Sequence, residues 1–282
     1  MSTGDEKTIR VGHSPDSDDA FMFYALAKDK IDTGGLRFVH QLEDIETLNR
    51  RAMKGELEVS AVSIHAFAHL TDRYALLASG ASMGEGYGPI LVTREPMTLD
   101  QIKGKTIAIP GKMTSAFLAL QLCLGKDVAV EVRPFDQILP AVEAKEFDVG
   151  LLIHEGQIYH KDRGFHCALD LGLWWRDETK LPLPLGGNVV RRDLGDEMVR
   201  KIGALLKQSI QFALDNREEA LEYALQYARG LDSTLADRFV GMYVNERTVD
   251  YGPAGREAVR LFLSRGEKLG LVPGPLDIQF VG

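Results

Sequence analysis

One histidine of the sequence lies where an apolar, strand-like run ends. The run DVGLLIHE covers residues 148–155 and places His154 at its carboxyl-terminal end. An imidazole titrates near neutral pH, so a histidine at this edge of a sheet is a candidate general base. Glu155 could orient the ring, although adjacent residues of a strand point to opposite faces. The alternative is that His154 is a structural residue, as most single histidines are.

Two serines stand where a strand-like segment gives way to a helical one. Ser63 lies near the end of the strand VSAVSI, and Ser115 lies at the start of the helix TSAFLALQLCLG. A helix start presents backbone N–H groups, such as that of Ala116, which suit an anion. Two such starts in matching positions predict a site that holds a carboxylate. Each serine could instead cap its helix without any ligand, since most caps bind nothing.

An aspartate-rich loop, GHSPDSDDAF, joins the first strand to the first helix. We expect Asp16, Asp18 and Asp19 to cap this helix and to complement its dipole. A Mg²⁺ site on the same carboxylates is the weaker alternative, because no second carboxylate cluster occurs at a comparable loop. Under either interpretation the loop would line a ligand cleft.

The histidines and cysteines lack the spacing of a metal site. His65 and His69 would share one face of a helix, but Ala66 stands where a zinc protease carries glutamate. Cys123 and Cys167 form no C-x-x-C pair, which excludes zinc-ribbon and thioredoxin-type sites. Both cysteines lie in apolar runs, so we expect buried free thiols. We therefore predict no metal ion.

The composition is that of an ordinary globular protein with an acidic balance. The 282 residues include 33 basic and 41 acidic side chains, for a formal charge of −8, and 45% of them are hydrophobic. These values exclude a disordered chain and a disulfide scaffold, and they argue against nucleic acid or an anionic membrane as the partner. The first residues are polar and no apolar run is long enough to span a bilayer, so we expect a cytoplasmic protein.

Strand-like and helix-like segments alternate along the first two thirds of the chain, and four helical segments follow residue 194. This order predicts an α/β fold with mostly parallel sheets. We expect two lobes around a ligand cleft, as in type II periplasmic binding proteins. Residues 1–93 and 193–282 would form the first, larger lobe, with the helical C-terminal segment packed on it. Residues 94–192 would form the second, smaller lobe.

Seven segments, in order along nearly the whole chain, resemble one enzyme family. They are SPDSDDAFMFYAL, LEDIETLNR, GYGP, TSAF, ILP, LLIHEGQ and LPLPLGGNVVRRDLG. Their combination is similar to the 1,4-dihydroxy-6-naphthoate synthases, enzymes of the futalosine route to menaquinone. The resemblance implies the two-lobed periplasmic-binding-protein fold and a reaction that needs no cofactor.

The resemblance also implies roles for individual residues. His154 matches the family's proposed catalytic base. The positions that match the family's substrate cleft are Asp19, Asn49, Ser63, Ser115 and Ala116. From its residue type alone, Asn49 would be a helix-surface residue. The first loop departs from the P-N-D that family members often carry, because Asp18 adds a negative charge near a carboxylated substrate.

The implied reaction cleaves cyclic dehypoxanthine futalosine to 1,4-dihydroxy-6-naphthoate and a sugar-derived fragment. The partner would then be a small carboxylated molecule, and the sequence does not predict the oligomeric state. Two alternatives remain open. One is chorismate dehydratase, an enzyme of the same fold and pathway, and the other is a carboxylate-binding protein without catalysis.

Overall fold

The computed structural model of the chain describes residues 7–228 and 232–282. The polar residues 1–6, on which the expectation of a cytoplasmic protein partly depends, lie outside these ranges, as does Arg229 at the end of a predicted helix. The chain forms two compact units, each made from separate stretches. The first unit takes residues 1–82, 186–252 and 276–282, and the second takes residues 83–185 and 253–275.

The strands are short and mostly buried. In chain order they are β1 (Lys7–His13), β2 (Leu36–Leu42), β3 (Val59–Ser63), β4 (Tyr74–Leu77), β5 (Ser82–Gly84), β6 (Ile90–Thr93), β7 (Ile107–Ile109), β8 (Val130–Val132), β9 (Val149–Leu152), β10 (His166–Asp170), β11 (Leu183–Arg191) and β12 (Phe280–Val281).

The helices fall between the strands and dominate after residue 195. They are α1 (Ser17–Met22), α2 (Tyr24–Ala27), α3 (Ile45–Lys54), α4 (Ile64–Phe67), α5 (Leu99–Lys103), α6 (Ser115–Leu124), α7 (Phe135–Glu143), α8 (Gly156–Tyr159), α9 (Leu171–Thr179), α10 (Asp196–Asp215), α11 (Arg217–Ala224), α12 (Ser233–Tyr243), α13 (Glu246–Val249) and α14 (Gly252–Lys268). Short 3₁₀ turns cover Arg192–Leu194 and Leu225–Tyr227.

The sheet of the first unit has the strand order β12-β4-β11-β3-β1-β2. β1 runs parallel to both of its neighbours, and its Gly12 is in register with Ser60 of β3. β11 runs antiparallel to β3 and β4. Ile9 and Val11 of β1 are buried in a core that also takes Phe21 of α1 and Leu206 of α10. Burial of these apolar side chains supplies most of the driving force for this unit.

The sheet of the second unit has the strand order β10-β6-β9-β7-β8. β7 runs parallel to β8 and β9, and β6 runs antiparallel to β9 and β10. α7 packs on this sheet, with Ile138 and Val142 buried against Val92 and Ala108. The alternation of strands and helices therefore gives two mixed sheets, each with parallel pairs on one side, β3-β1-β2 in the first and β9-β7-β8 in the second, within the predicted α/β class.

The boundaries between the units differ from the predicted residues 93/94 and 192/193. β6 lies before the predicted first boundary, yet it pairs with β9 and β10 and so belongs to the second sheet. The second boundary comes earlier than predicted because Gly186 already pairs with Ser63 of the first sheet. Strand-like patterns show that a strand exists but not which sheet accepts it.

The C-terminal helices divide between the units, whereas the prediction placed them all on the first lobe. α10 to α13 belong to the first unit, and residues 253–275, which include most of α14, belong to the second. Phe262 of α14 meets the ring of buried Trp175 edge-on, with 5.4 Å between centroids. An apolar face predicts that a helix is buried, but it does not specify the surface that buries it.

The thiols are more accessible than predicted. Cys123 is half-buried and Cys167 is exposed. Cys167 lies on β10, an edge strand of the second sheet, so its apolar neighbours in sequence do not enclose it. No helix in the part of the chain that the structure describes is both long and apolar enough to cross a bilayer.

Candidate active site

In each unit the candidate residues follow the carboxyl ends of two adjacent parallel strands. In the first unit β1 leads to α1, whose first turn carries Asp19, and β3 ends at Ser63. In the second unit β7 leads to α6, which begins at Ser115, and β9 leads to His154. Loops beyond the carboxyl ends of parallel strands are where α/β proteins build their sites.

Asp19 ties its own helix to the end of β1. Its Oδ2 accepts hydrogen bonds from the backbone N–H of Ser14 at 2.7 Å and from the Ser14 hydroxyl at 2.9 Å. The predicted capping is not what the structure shows, because Asp16 occupies the N-cap position of α1 without a side-chain capping bond. The loop is therefore fixed by Asp19 and Ser14.

Asn49 and Ser63 form a buried, reciprocal pair. The amide of Asn49 donates from Nδ2 to Ser63 Oγ at 3.1 Å, and its Oδ1 accepts from the Ser63 backbone N–H at 2.9 Å. Asn49 is wholly buried, so its interpretation as a helix-surface residue is wrong. It shares the buried face of α3 with Leu48 and Ala52, a signal that the helical periodicity contained.

Ser63 stands at the N-cap position of α4, but its hydroxyl makes no capping bond to that helix. The helix has only four residues, Ile64–Phe67. The interaction with Asn49 replaces the predicted cap.

Ser115 is the first residue of α6, and Thr114 is its N-cap. Thr114 Oγ1 accepts from the Phe117 N–H at 3.2 Å and donates to the Gly111 carbonyl at 2.9 Å. The Ser115 hydroxyl donates to the carbonyl of Leu185 at 2.6 Å, while Ala116 is buried in the first turn. The Thr114 cap confirms the predicted helix start. The first N–H groups of a helix have no acceptor within the helix itself.

His154 lies two residues beyond β9 in a left-handed backbone conformation, with φ of +59°. Its half-buried ring meets Phe135 edge-on, with 4.7 Å between the ring centroids. This conformation costs a residue with a side chain about 1–2 kcal/mol and is concentrated at functional sites. Glu155 returns to right-handed backbone with φ of −60°. Because neither residue lies within the strand, the rule that adjacent strand residues point to opposite faces does not apply to them.

The glycines around Tyr87 allow two stretches of backbone to touch. A Cβ atom on Gly172 would lie 1.9 Å from the Tyr87 carbonyl oxygen, and one on Gly88 would lie 3.0 Å from Gly172. The two stretches of backbone are therefore in direct contact. Burial raises the pKa of Tyr87 to about 12, so its hydroxyl keeps its proton at neutral pH.

A histidine pair near Asp19, of which His13 is buried and His40 half-buried, has no counterpart in the sequence prediction. His13 Nε2 lies 3.0 Å from His40 Nδ1, and His13 Nδ1 lies 3.0 Å from the Ser14 carbonyl oxygen. The His13 ring also stacks on Phe23 with 4.6 Å between centroids. The two histidines lie on parallel strands with no shared motif, so no local pattern could have linked them.

Among the described residues, His65 and His69 are not part of a group of three side chains that could hold a metal ion. The rings of His65 and His69 lie 5.9 Å apart between centroids. In residues 7–228 and 232–282, no group of three or more histidine, cysteine, aspartate or glutamate side chains is arranged to hold a metal ion.

The fold is that of the periplasmic binding proteins. The structure matches the alkanesulfonate-binding protein SsuA from Xanthomonas axonopodis pv. citri with a TM-score of 0.71 at 12% identity, over 96% of each chain. It matches a crystal structure of a protein from Archaeoglobus fulgidus with a TM-score of 0.90 at 47% identity, over 94% of this chain and 98% of the other.

Within that fold class the chain belongs to the menaquinone biosynthesis family, whose model matches residues 9–268. A 1,4-dihydroxy-6-naphthoate synthase from Thermus thermophilus is 39% identical over 96% of this chain and 100% of its own length. A second one, from Streptomyces coelicolor, is 35% identical over 97% of this chain and 98% of its own. The family resemblance in the sequence is thereby confirmed.

Proposed function

We propose that this chain is a 1,4-dihydroxy-6-naphthoate synthase that cleaves cyclic dehypoxanthine futalosine, with His154 as the general base. The observation that carries the proposal is the backbone at His154, a left-handed residue with a side chain directly after β9. Such strain persists only where the surroundings hold it, and it is concentrated where a side chain must be aimed. The named relatives support the choice of reaction.

The reaction requires removal of a hydroxyl proton as the sugar ring opens. His154 would take that proton, because a neutral imidazole is a competent base at neutral pH. A retro-aldol-like step would then break the carbon–carbon bond, and its electron pair would enter the ring system that becomes aromatic. A correctly placed base contributes about 10²–10⁴-fold to such a step.

In the second unit, the first turn of α6 at Ser115 and Ala116 would bind the carboxylate of the substrate through its backbone N–H groups. In the first unit, Asp19, Asn49 and Ser63 would supply polar contacts to the substrate. α6 is ten residues long and correctly capped, so its first turn supplies N–H groups and a favourable dipole for an anion. Asn49 donates to the Ser63 hydroxyl oxygen and so fixes the hydroxyl in one orientation, with its proton left to donate to an anion, whereas the Ser63 N–H is already donated to Asn49 Oδ1. Fixed donors bind an anion without a reorganisation cost at the moment of binding.

The test is an anaerobic incubation with cyclic dehypoxanthine futalosine, analysed by mass spectrometry for 1,4-dihydroxy-6-naphthoate. Wild type, His154→Ala and His166→Ala are compared, with circular dichroism to establish that each is folded. His166 is an exposed histidine of the same unit and serves as the matched control. We expect product from wild type and from His166→Ala, and an amount of product from His154→Ala that is lower by about a hundredfold or more.

Product at the wild-type rate from His154→Ala would remove His154 from the mechanism and leave the lyase. No product from any of the three proteins would contradict the proposed reaction. Chorismate, tested next, would then detect a dehydratase. Carboxylate binding by thermal shift without any turnover would instead indicate a binding protein.

A further inference from the structure

A chain of hydrogen bonds connects two histidines to the carboxylate of Asp19. His40 Nδ1 and His13 Nε2 are 3.0 Å apart, and His13 Nδ1 is 3.0 Å from the Ser14 carbonyl oxygen. On the other side of the same residue, the Ser14 N–H and hydroxyl both donate to Asp19 Oδ2. Ser14 is thus held at its carbonyl oxygen by His13 and at its N–H and hydroxyl by Asp19.

The direction of this chain follows from its last acceptor. A carbonyl oxygen only accepts, so His13 must carry its proton on Nδ1. Neutral His13 then has a lone pair on Nε2, which accepts the proton that His40 carries on Nδ1. For a neutral pair, the contacts therefore fix both rings as Nδ1–H tautomers. The order is His40 to His13, His13 to Ser14, and Ser14 to Asp19.

The surroundings of the pair favour the neutral forms. His13 is 3% exposed and stacks on Phe23, and the Phe23 ring also meets His40 edge-on. Burial lowers the pKa of His13 to about 4 and, together with repulsion from His13, lowers the pKa of His40 to about 4. The opposing negative charges are those of Asp16 for His13 and Asp29 for His40. Burial outweighs them.

Protonation of both rings would break the arrangement. With protons on all four ring nitrogens, two N–H groups would face each other across the 3.0 Å contact between His13 and His40. His40 Nε2 is buried without a hydrogen-bond partner among the described residues, so a proton placed there would also lack an acceptor.

We propose that His13 and His40 are positioning residues for Asp19: as a neutral pair they orient Ser14, whose N–H and hydroxyl in turn orient the Asp19 carboxylate toward the substrate. The second half of this statement rests on the proposed function, because it takes Asp19 as a substrate contact. The first half concerns the orientation of Ser14 and can be tested without any substrate.

The variants separate hydrogen bonding from packing. His13→Phe keeps an aromatic ring against Phe23 and removes both ring nitrogens. His13→Asn restores an amide donor near the position of Nδ1. His69→Phe is the matched control, since His69 is an exposed histidine of the same unit with no part in this chain.

We expect His13→Phe to raise KM for cyclic dehypoxanthine futalosine about tenfold, with kcat changed by less than about threefold, and His13→Asn to recover most of the loss. His69→Phe should match wild type. In the double variant with Asp19→Asn, the His13→Phe change should have no further effect, because it acts through a carboxylate that is no longer there. Effects that multiply would overturn the proposal.

Two measurements need no turnover. Ring ¹⁵N chemical shifts at neutral pH should show His13 and His40 as neutral Nδ1–H tautomers. Hydrogen exchange of the Ser14 amide should be faster in His13→Phe than in His69→Phe. Charged rings, or equal Ser14 exchange in the two variants, would overturn the positioning role. Absence of turnover in wild type, with these two results as expected, would contradict only the proposed function.

Discussion

The two units hold their candidate residues by different means. In the first unit side chains from separate segments do so, as when Asn49 of α3 fixes Ser63 and Asp19 binds Ser14. In the second unit the backbone holds most of the candidate residues in place. The Ser115 hydroxyl donates to a carbonyl oxygen, and His154 takes its place through a left-handed turn. Gly172 lies directly against the Tyr87 carbonyl.

The difference determines what a single substitution can do. A residue held by one side chain loses its orientation when that side chain is truncated, whereas one held by backbone is released only when the chain itself is displaced. The first unit should therefore be sensitive to deletions of polar groups, and the second to additions of bulk.

The largest effect is expected where bulk is added at the backbone contact of the second unit. In Gly172→Ala the new Cβ would lie 1.9 Å from the Tyr87 oxygen and 2.1 Å from its carbonyl carbon, so one of the two stretches must shift. We expect the free energy of unfolding in urea to fall by about 3 kcal/mol or more. Gly104→Ala is the control, because its Cβ would have no neighbour nearer than 3.8 Å. A loss of equal size in both variants would contradict the close approach.

A smaller loss is expected where a polar side chain is removed from the first unit. Asn49→Ala deprives the buried Ser63 N–H of its acceptor and the hydroxyl of its donor, which should cost about 2 kcal/mol of unfolding free energy. Arg50→Ala on the same helix serves as control, since the Arg50 side chain is 65% exposed and loses only a 3.4 Å ion pair to Glu46. If Ser115→Ala in the second unit proved as damaging as Asn49→Ala, the contrast between the units would fail.

The smallest effect is the loss of stability of the first unit between pH 7 and pH 6. His13 and His40 bind a proton near pH 6.5 in the unfolded chain and near pH 4 in the folded one. Their contribution to stability is therefore complete above pH 6.5 and is lost as the pH falls toward 4. At pH 6 the loss is less than about 1 kcal/mol for each histidine. The free energy of unfolding in urea, measured between pH 7 and pH 6, should depend less steeply on pH in the double variant His13→Phe/His40→Phe than in wild type. An equal dependence on pH in the two proteins would contradict the assignment.

Much of the fold follows from periodicity and from turn and capping chemistry. Asp44 and Gly55 bound α3 as cap residues, and Thr98 and Gln101 form a capping box at α5. Periodicity does not specify the surface on which an element packs. Apolar patterns predict a strand at β6 and a helix at α14, but neither pattern shows that its element belongs to the second unit. Tertiary pairing decides that, and a single segment does not contain it.

The candidate site divides in the same way. Ser63, Ser115 and His154 could be selected because each follows a strand, and the order of elements places strand ends at one edge of a sheet. The burial of Asn49 follows from the helical period once Leu48 and Ala52 are recognised as core residues. The pairing of His13 with His40 depends on strand register alone, in which His40 pairs with Val11. The residues around either histidine do not specify the register between β1 and β2.

Because each unit is assembled from separate stretches, the order of synthesis matters to the first one. A ribosome makes β1 to β4 early, but β11, which separates β3 from β4 in the sheet, comes only after the main segment of the second unit. β12, which pairs with β4, comes later still. The nascent chain therefore carries an incomplete first sheet, with exposed strand edges open to wrong partners, throughout the synthesis of residues 83–185.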